Sequence, residues 1–541
     1  MPKQAPPRSN ASRSAAAQPR GPSRPLRTGA LPAKSGKAGK AAKLAKQART
    51  ARSAKATKAD PTGPQGPSSS PQRLSGSPQV RAGRSKAAAA AAAPMPASRL
   101  RLDLPIERYE LSCGAILLVS PRPGAPITAA QVHMRGGLAL DPAGLEGTAF
   151  LAGALASEGT EQHTEEQLAD LLEPEGGSLS GDSSGLSGSI VSGSWELLLD
   201  LLGELLLAPT YPEDKVERQR ARLLQRLEVE RRDHRTQAGQ LFRRLVYGSH
   251  WLGRSERGTV ESVGAIRRAH IHAHQRDHWV AARAVIAVCG DVQGESVRRF
   301  LERRLRGWRR GEPIELPGPD FPPLESRTAG FQADRQQVQV CLGHLGIKRS
   351  DPDYVAALVM DHILGTGPGF TDRISKRLRD QEGLAYSVQA NLHGTAGVQP
   401  GMFLATIGTS PDKLSQALTG FIEEIARIRA DLVLPEELDL ARQYLTGSFV
   451  LGFERAARRA HYMVQAHRYG LPADDLATLP ARIAAVSAEQ IQSVAQRHLH
   501  PEALSLTVGG PIDPRRLPDL LRDAQQAALT PRRAPRRRSK A

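Results

Sequence analysis

The stretch "GTAFLAGALASEGT", residues 147–160, decides how the rest of the chain is read. Two glycine turns bracket a short helix of small apolar residues. It follows an apolar strand, "ITAAQVHMRGG", that ends in a glycine pair. The residues alone allow two readings: ordinary core, or a place where side chains once did chemistry.

Outward from that helix the elements come in a definite order. "CGAILLVSPRP" is a strand running into a Pro/Gly turn. "TEEQLADLLEPEGG" opens with Thr164 and Gln167 in capping-box spacing and stops at Pro174. "SLSGDSSGLSGSIVSGS" alternates only weakly, so its strands are placed loosely. Helices follow over "WELLLDLLGELLLAP" and "PEDKVERQRARLLQRLEVERRD", then a buried strand "RAVIAVCGDV" and the helix "ESVRRFLERRL". Beyond the proline-rich "GWRRGEPIELPGPDFPPLESRTAG" the order recurs. "QQVQVCLGHLG" answers "ITAAQVHMRGG", and "SDPDYVAALVMDHILG" answers the opening helix, with Pro352 just after an Asp cap. Long helices from "SPDKLSQALTGFIEEIARI" to "PEELDLARQYLTGSFVLGFERAARRA" lead to "LSLTVGGPIDPRRLPDLLRD", which closes the second half. The expectation is an α/β (α+β) fold of two duplicated domains, 103–315 and 336–525, joined by a linker at 316–335.

Charge separates the tails from the body. The formal charge of the chain is +19, yet residues 1–100 hold twenty Lys and Arg against one acid, Asp60. Residues 531–541, "PRRAPRRRSKA", add six more positive charges, which leaves 101–530 at a net −6. Segments 1–102 and 526–541 are therefore expected to be disordered basic tails, too poor in large apolar side chains to offset ordering entropy. They suit non-specific contact with nucleic acid or an anionic surface. No secretory signal or transmembrane stretch is visible, which points to the cytoplasm, or to the periplasm if the start codon is mis-set. Cys113, Cys289 and Cys341 are scattered and odd in number, as expected of thiols in a reducing compartment.

The strand, the glycine pair, "GLEGTAFLAGALASEGT" and the second-half "LRDQEGLAYSV" together resemble the insulinase/pitrilysin-type metallopeptidases, which include mitochondrial processing peptidase. The resemblance spans about residues 103–525, with its duplication, and implies two mostly antiparallel sheets packed with helices around a chamber. In active members the helix after the glycine pair carries His-x-x-Glu-His, two histidines on one face binding zinc and a glutamate holding the attacking water. Here those positions fall on Phe150, Gly153 and Ala154, none of which offers a lone pair or a base. The third ligand of the family, a glutamate farther along, falls on Glu228 or Glu230, and both stay open. The motif is degenerate, so no catalytic residue, metal or other cofactor is expected in this chain.

The second half keeps a signature of its own. Arg379 and Tyr386, seven apart, match the arginine–tyrosine pair that holds the substrate backbone in active relatives. Alternation puts Leu384, Tyr386 and Val388 on one strand face. The resemblance thus implies a zinc-less, non-catalytic subunit of a processing-peptidase-like heterodimer. Such a chain binds peptide and contributes to proteolysis only beside a homologous subunit bearing His-x-x-Glu-His. The alternatives are a peptide-binding or scaffold protein of the same fold, and a module tethered through its basic tails. The glycine-rich loop of the processing peptidase's non-zinc subunit is missing, since "LGTGPGF" is too short.

Other patterns carry less. His270, His274 and His278 share a helical stripe, with His272 opposite, but no Cys or carboxylate stands at ligand spacing, which favours a structural role. His163 begins a His-x-x-Glu without a second histidine. "GTGPG" lacks the Gly-Lys-Ser/Thr of a phosphate loop.

Overall fold

The structure, a computed structural model, describes residues 104–530. The basic segments 1–102 and 531–541 lie outside the described residues.

Strands and helices form where the apolar spacing puts them. The first half runs β1 (Glu107–Glu110), β2 (Ile116–Pro121), β3 (Ile127–Met134), α1 (Thr148–Ala154), α2 (Glu165–Leu172) and the hairpin β4 (Ser178–Asp182) and β5 (Gly185–Val191). It continues through α3 (Trp195–Leu207), α4 (Glu213–Arg232), α5 (His234–Tyr247), α6 (Val260–Ala265), α7 (Arg268–His278), β6 (Ala284–Gly290) and α8 (Gly294–Arg304). The second half has β7 (Thr328–Gln332), β8 (Val338–Leu345), α9 (Tyr354–Leu364), a π-helix over Ser375–Gln381, β9 (Val388–Asn391) and β10 (Met402–Thr409). Helices α10 (Leu414–Ala430), α11 (Pro435–Gly452), α12 (Ala456–Arg468), α13 (Asp475–Ala485) and α14 (Ala488–His498) precede β11 (Ser505–Gly510) and α15 (Leu517–Leu529).

The sheets show the duplication directly. Their orders are β1-β2-β6-β3-β5-β4 and β7-β11-β8-β10-β9. With β1 set aside, the two match strand for strand. In each, one pair is parallel (β2 with β6, β7 with β11) and the other pairs are antiparallel. The capping box at Thr164 and Gln167 forms as its spacing predicts.

Three local expectations shift. Strand β7 falls inside the span 316–335, so part of that span belongs to the second sheet. Helix α15 continues through Leu529, so order runs beyond residue 525. Helix α9 begins at Tyr354, and Asp351 accepts the Asp353 N–H at 2.9 Å, which leaves Pro352 in the turn ahead of the helix.

What joins the halves is an exchange of helices. Every residue of β6 is buried, because both of its faces are covered. Ala284, Ile286 and Val288 face the first-half core, whereas Val285, Ala287 and Cys289 face Ala456, Ala460, Met463 and Val464 of α12, a helix of the second half. The converse holds for the other sheet. Ala238, Phe242, Val246 and Tyr247 of α5, a first-half helix, pack with Cys341 of β8 and Met402 of β10. Two buried polar contacts fix that seat: Thr507 Oγ1 donates to the Ala238 carbonyl at 3.0 Å, and the Tyr247 hydroxyl to the Pro400 carbonyl at 3.1 Å. Phe242→Ala, which empties the middle of this contact, is expected to cost about 3–5 kcal/mol and to loosen both halves in one transition, checked by denaturant unfolding read at two probes.

Behind β8 lies a second, pH-sensitive restraint. His344 is buried, its Nδ1 donates to the Leu345 carbonyl at 2.8 Å and its Nε2 accepts the His500 N–H at 3.1 Å. Only the neutral ring makes both bonds, and burial lowers its pKa to about 4. The unfolded chain, with histidine near 6.5, binds the extra proton first as pH falls. This contribution is therefore whole above about pH 6.5 and lost through pH 4, an effect of about 3 kcal/mol. Denaturant midpoints between pH 7 and pH 4 should fall less steeply in His344→Gln than in the parent chain.

Candidate functional site

Helix α1 is set by one carboxylate. Asp141 Oδ2 accepts the Gly147 N–H at 2.8 Å and Oδ1 the Ala149 N–H at 2.7 Å, answering two of the orphan donors of the helix N-terminus. Burial pushes the pKa of Asp141 up to about 6 in spite of those two donors. Gly147 turns the chain into the helix at φ 101°, a left-handed conformation that favours glycine.

The positions of the degenerate motif are packed rather than open. Phe150 lies against the first-half core. At Gly153 a Cβ would stand 1.9 Å from the carbonyl oxygen of Asp182 and 2.6 Å from its carbonyl carbon. A Cβ on Gly181 would in turn meet the Gly153 carbonyl oxygen at 2.2 Å. Helix α1 and strand β4 are thus in backbone-to-backbone contact, and no side chain fits at 153. Beneath the helix the buried Tyr211 hydroxyl donates to the Ala152 carbonyl at 3.2 Å, and burial drives its pKa up. On α4, Glu230 is taken by Arg226 at 3.2 Å and Arg257 at 3.0 Å, while Glu228 lies 4.0 Å from Arg231. Neither glutamate belongs to a group of three potential ligands among the described residues. The donor set does not fit the zinc that active members of the resembled family hold.

Arg379 and Tyr386 do come together. The Arg379 guanidinium carbon lies 3.6 Å from the centroid of the Phe370 ring and 5.8 Å from that of Tyr386. Arg379 sits in the π-helix, and Gly383, at φ 60°, turns the chain out of it. Tyr386 precedes β9 rather than lying on it. Leu384 and Val388 are buried while Tyr386 is 85 % exposed, so the three do not share a face. The bend before β9 breaks the alternation. Tyr386 instead lines a concavity of about 930 Å³ whose other wall is the start of α5, with Asp233, His234 and Thr236.

A second cavity, of about 680 Å³, lies on the far side of Thr236 and was not anticipated from the sequence. Its walls come from β3, α5, the segment 251–257, β6 and the end of α12. Arg135, Arg243, Arg244, Arg254, Arg283 and Arg468 all line it.

The remaining candidates resolve into structure. His270 accepts the Arg267 N–H at 3.1 Å, and His272 packs against Tyr211. His274 is buried 3.9 Å from Asp141, with its pKa lowered to about 3, and His278 Nδ1 takes an Arg283 N–H at 3.1 Å. His163 pairs with the buried Glu204 at 3.0 Å. Asp351, Asp353 and His498 do cluster, but Arg497 grips both Asp353 oxygens at 2.7 and 2.9 Å and supplies the cation there. Cys289 and Cys341 are buried, Cys113 is half-buried, and all three are free thiols. No helix among the described residues is long and apolar enough to cross a membrane.

Comparison with known proteins agrees with this geometry. Residues 265–445 match the family described as "Peptidase M16 inactive domain". The solved structure of a peptidase M16 inactive domain from Pseudomonas fluorescens superimposes with a TM-score of 0.70 at 23% identity, covering 76% of this chain and 99% of that one. Over residues 265–445 the chain is similar to the M16-type, insulinase/pitrilysin-like proteins, and it shares the duplicated α/β fold of the solved structure. Within that class it is similar to a "Non-peptidase homolog YmxG" of Helicobacter pylori, 24% identical over 71% of this chain and 89% of that protein. It is also similar to an "Uncharacterized zinc protease" of Streptomyces coelicolor, 26% identical over 58% of this chain and 69% of that protein. The match to the inactive-domain description thus falls on residues 265–445.

The α1–β4 contact makes a direct prediction. Gly153→Ala should destabilise the protein by about 1–3 kcal/mol, because backbone has to move to admit one methyl group. Phe150→His, Gly153→Glu and Ala154→His combined should not yield a folded chain with stoichiometric zinc, as judged by metal analysis and thermal melting.

Proposed function

We propose that this chain is the non-catalytic, substrate-positioning subunit of a heteromeric zinc peptidase. The hydrolytic centre then belongs to a homologous partner with His-x-x-Glu-His, and this chain contributes the opposite wall of the chamber. One contrast carries the reading: β4 leaves no room for a side chain at Gly153, while Tyr386 is exposed with the Arg379 guanidinium 5.8 Å from its ring. A guanidinium beside a phenol hydroxyl suits a peptide carbonyl and the oxyanion that develops from it. The names of the relatives, inactive domain and non-peptidase homolog, support a chain that does not cleave by itself.

A second reading, a peptide-binding scaffold with no hydrolysis in any assembly, draws support from that last name and from a fold shared with a chain of complex III of Candida albicans (TM-score 0.64, 12% identity). Mixing separates the two. The purified chain should contain no zinc and cleave no peptide, and adding a His-x-x-Glu-His homologue should produce chelator-sensitive cleavage. Arg379→Ala should then lower turnover about a hundredfold, and Tyr386→Phe less, with assembly by size exclusion unchanged. Activity indifferent to both substitutions rules out the role of the pair, and absence of activity with any such partner favours the scaffold.

A further inference from the structure

The arginine-lined cavity gives this site a charge preference. Arg135 just after β3, Arg244 on α5 and Arg468 at the end of α12 line a single space of about 680 Å³, and Arg243, Arg254 and Arg283 complete its wall. Among the described residues, none of these six has a carboxylate within ion-pair distance; Arg257, also on the wall, is neutralised by Glu230 at 3.0 Å. Four are engaged only by neutral acceptors: Arg243 reaches the Leu252 carbonyl at 3.4 Å, Arg254 the Asp141 carbonyl at 3.3 Å, Arg283 the Glu312 carbonyl at 2.8 Å and Arg468 the Gln465 amide oxygen at 3.0 Å. The acids on the wall are Glu230 and Glu256, and Glu256 accepts the Ser183 hydroxyl.

Uncompensated like charges in a shared concavity repel one another, and their field is focused inward. Arg468 is pulled below the usual arginine value by burial, with Arg135 acting in the same direction. His133, at the floor, is held neutral: burial lowers its pKa to about 3, and Arg468 adds to the effect. The cationic character therefore belongs to arginines, which do not titrate in the working range. An occupant that neutralises them is anionic. Carboxylates along a flexible chain suit arginines that come from five separate segments, because each carboxylate can meet a different guanidinium.

We infer that this cavity binds an acidic segment of a peptide, with glutamate and aspartate side chains answering Arg135, Arg244 and Arg468. The peptide nature of the occupant rests on the reading above. The charge preference does not. Thr236 borders both this cavity and the Tyr386 concavity, so one extended chain can be held by its backbone at Tyr386 and by its acidic side chains here. The basic segments 1–102 and 531–541 have the wrong sign to occupy the site.

The test uses the full chain and fluorescein-labelled hexaglutamate, hexaserine and a thymidine hexanucleotide, read by anisotropy at 50 and 300 mM NaCl. Arg135 and Arg244 are exposed, so Arg135→Glu and Arg244→Glu should fold normally, with melting temperature as the control. Because the flanking basic segments are the same in both proteins, the difference between parent and variant reports the cavity. Hexaglutamate should bind about tenfold or more weakly to the double variant, and hexaserine equally to both. The contrast should shrink at high salt. Equal hexaglutamate affinity in parent and variant overturns the inference. Tighter binding of the hexanucleotide that depends on the same arginines also overturns it, assigning the cavity to phosphate chains. Arg379→Ala and Tyr386→Phe should reduce hexaserine binding and leave the parent-to-variant difference for hexaglutamate in place. Loss of the first effect alone removes the positioning role, and loss of the second alone removes the charge preference.

Discussion

The exchange of α5 and α12 is the constraint on which the rest of the molecule depends. A strand such as β6, apolar at every position, has two faces to cover, and its own half supplies helices for one. The second face is covered from the opposite half, and the same happens in reverse at β8 and β10. Small residues make this possible: Ala456 and Ala460 on the helix meet Ala129 and Ala287 on the sheet, so the backbones approach closely. Neither half buries its sheet alone. Cooperativity between the halves follows from that, and so does the chamber, since α5 and the end of α12 are two of its walls.

At the positions the resemblance assigns to the metal motif, backbone constrains the chain as well as side chains. Exchanging a ligand for a phenylalanine removes a donor but leaves room to restore it. At Gly153, the position the resemblance assigns to the glutamate, the Asp182 carbonyl of β4 stands where a Cβ would be. The small residues of α1 and the glycines of β4 now serve as a packing surface, held from the loop by Asp141 and from below by Tyr211.

Much of this was legible in the sequence, for local reasons. The capping box at Thr164, the buried runs that became β6 and β11, and the recurrence of strand, turn and helix are all written within windows of ten to twenty residues. That Phe150, Gly153 and Ala154 lack donors is read from the side chains alone and needs no coordinates. What stayed hidden depends on long-range placement. Continuous apolar runs told that β6 was covered twice, but not that the cover comes from about 170 residues away. Tyr386 was expected on a face with Leu384 and Val388, and the bend before β9 turned it into solvent. Pro352 looked like a first-turn residue, yet Asp351 had already closed a tighter turn ahead of α9.

Charge shows the same limit most clearly. Residues 101–530 sum to −6, which suggests an acidic surface suited to cationic partners. A sum has no direction. Arginines scattered from 135 to 468 converge on one concavity, while many of the acids are spent on pairs such as Arg373–Glu437 and Arg497–Asp353. The interior therefore has the opposite sign to the total. Arginine also has a consequence that histidine would not: its charge is fixed, so occupancy responds to ionic strength and to the carboxylates of the occupant, not to protonation of the wall. A concavity lined by fixed charges discriminates by holding in place the charges that an incoming chain has to match.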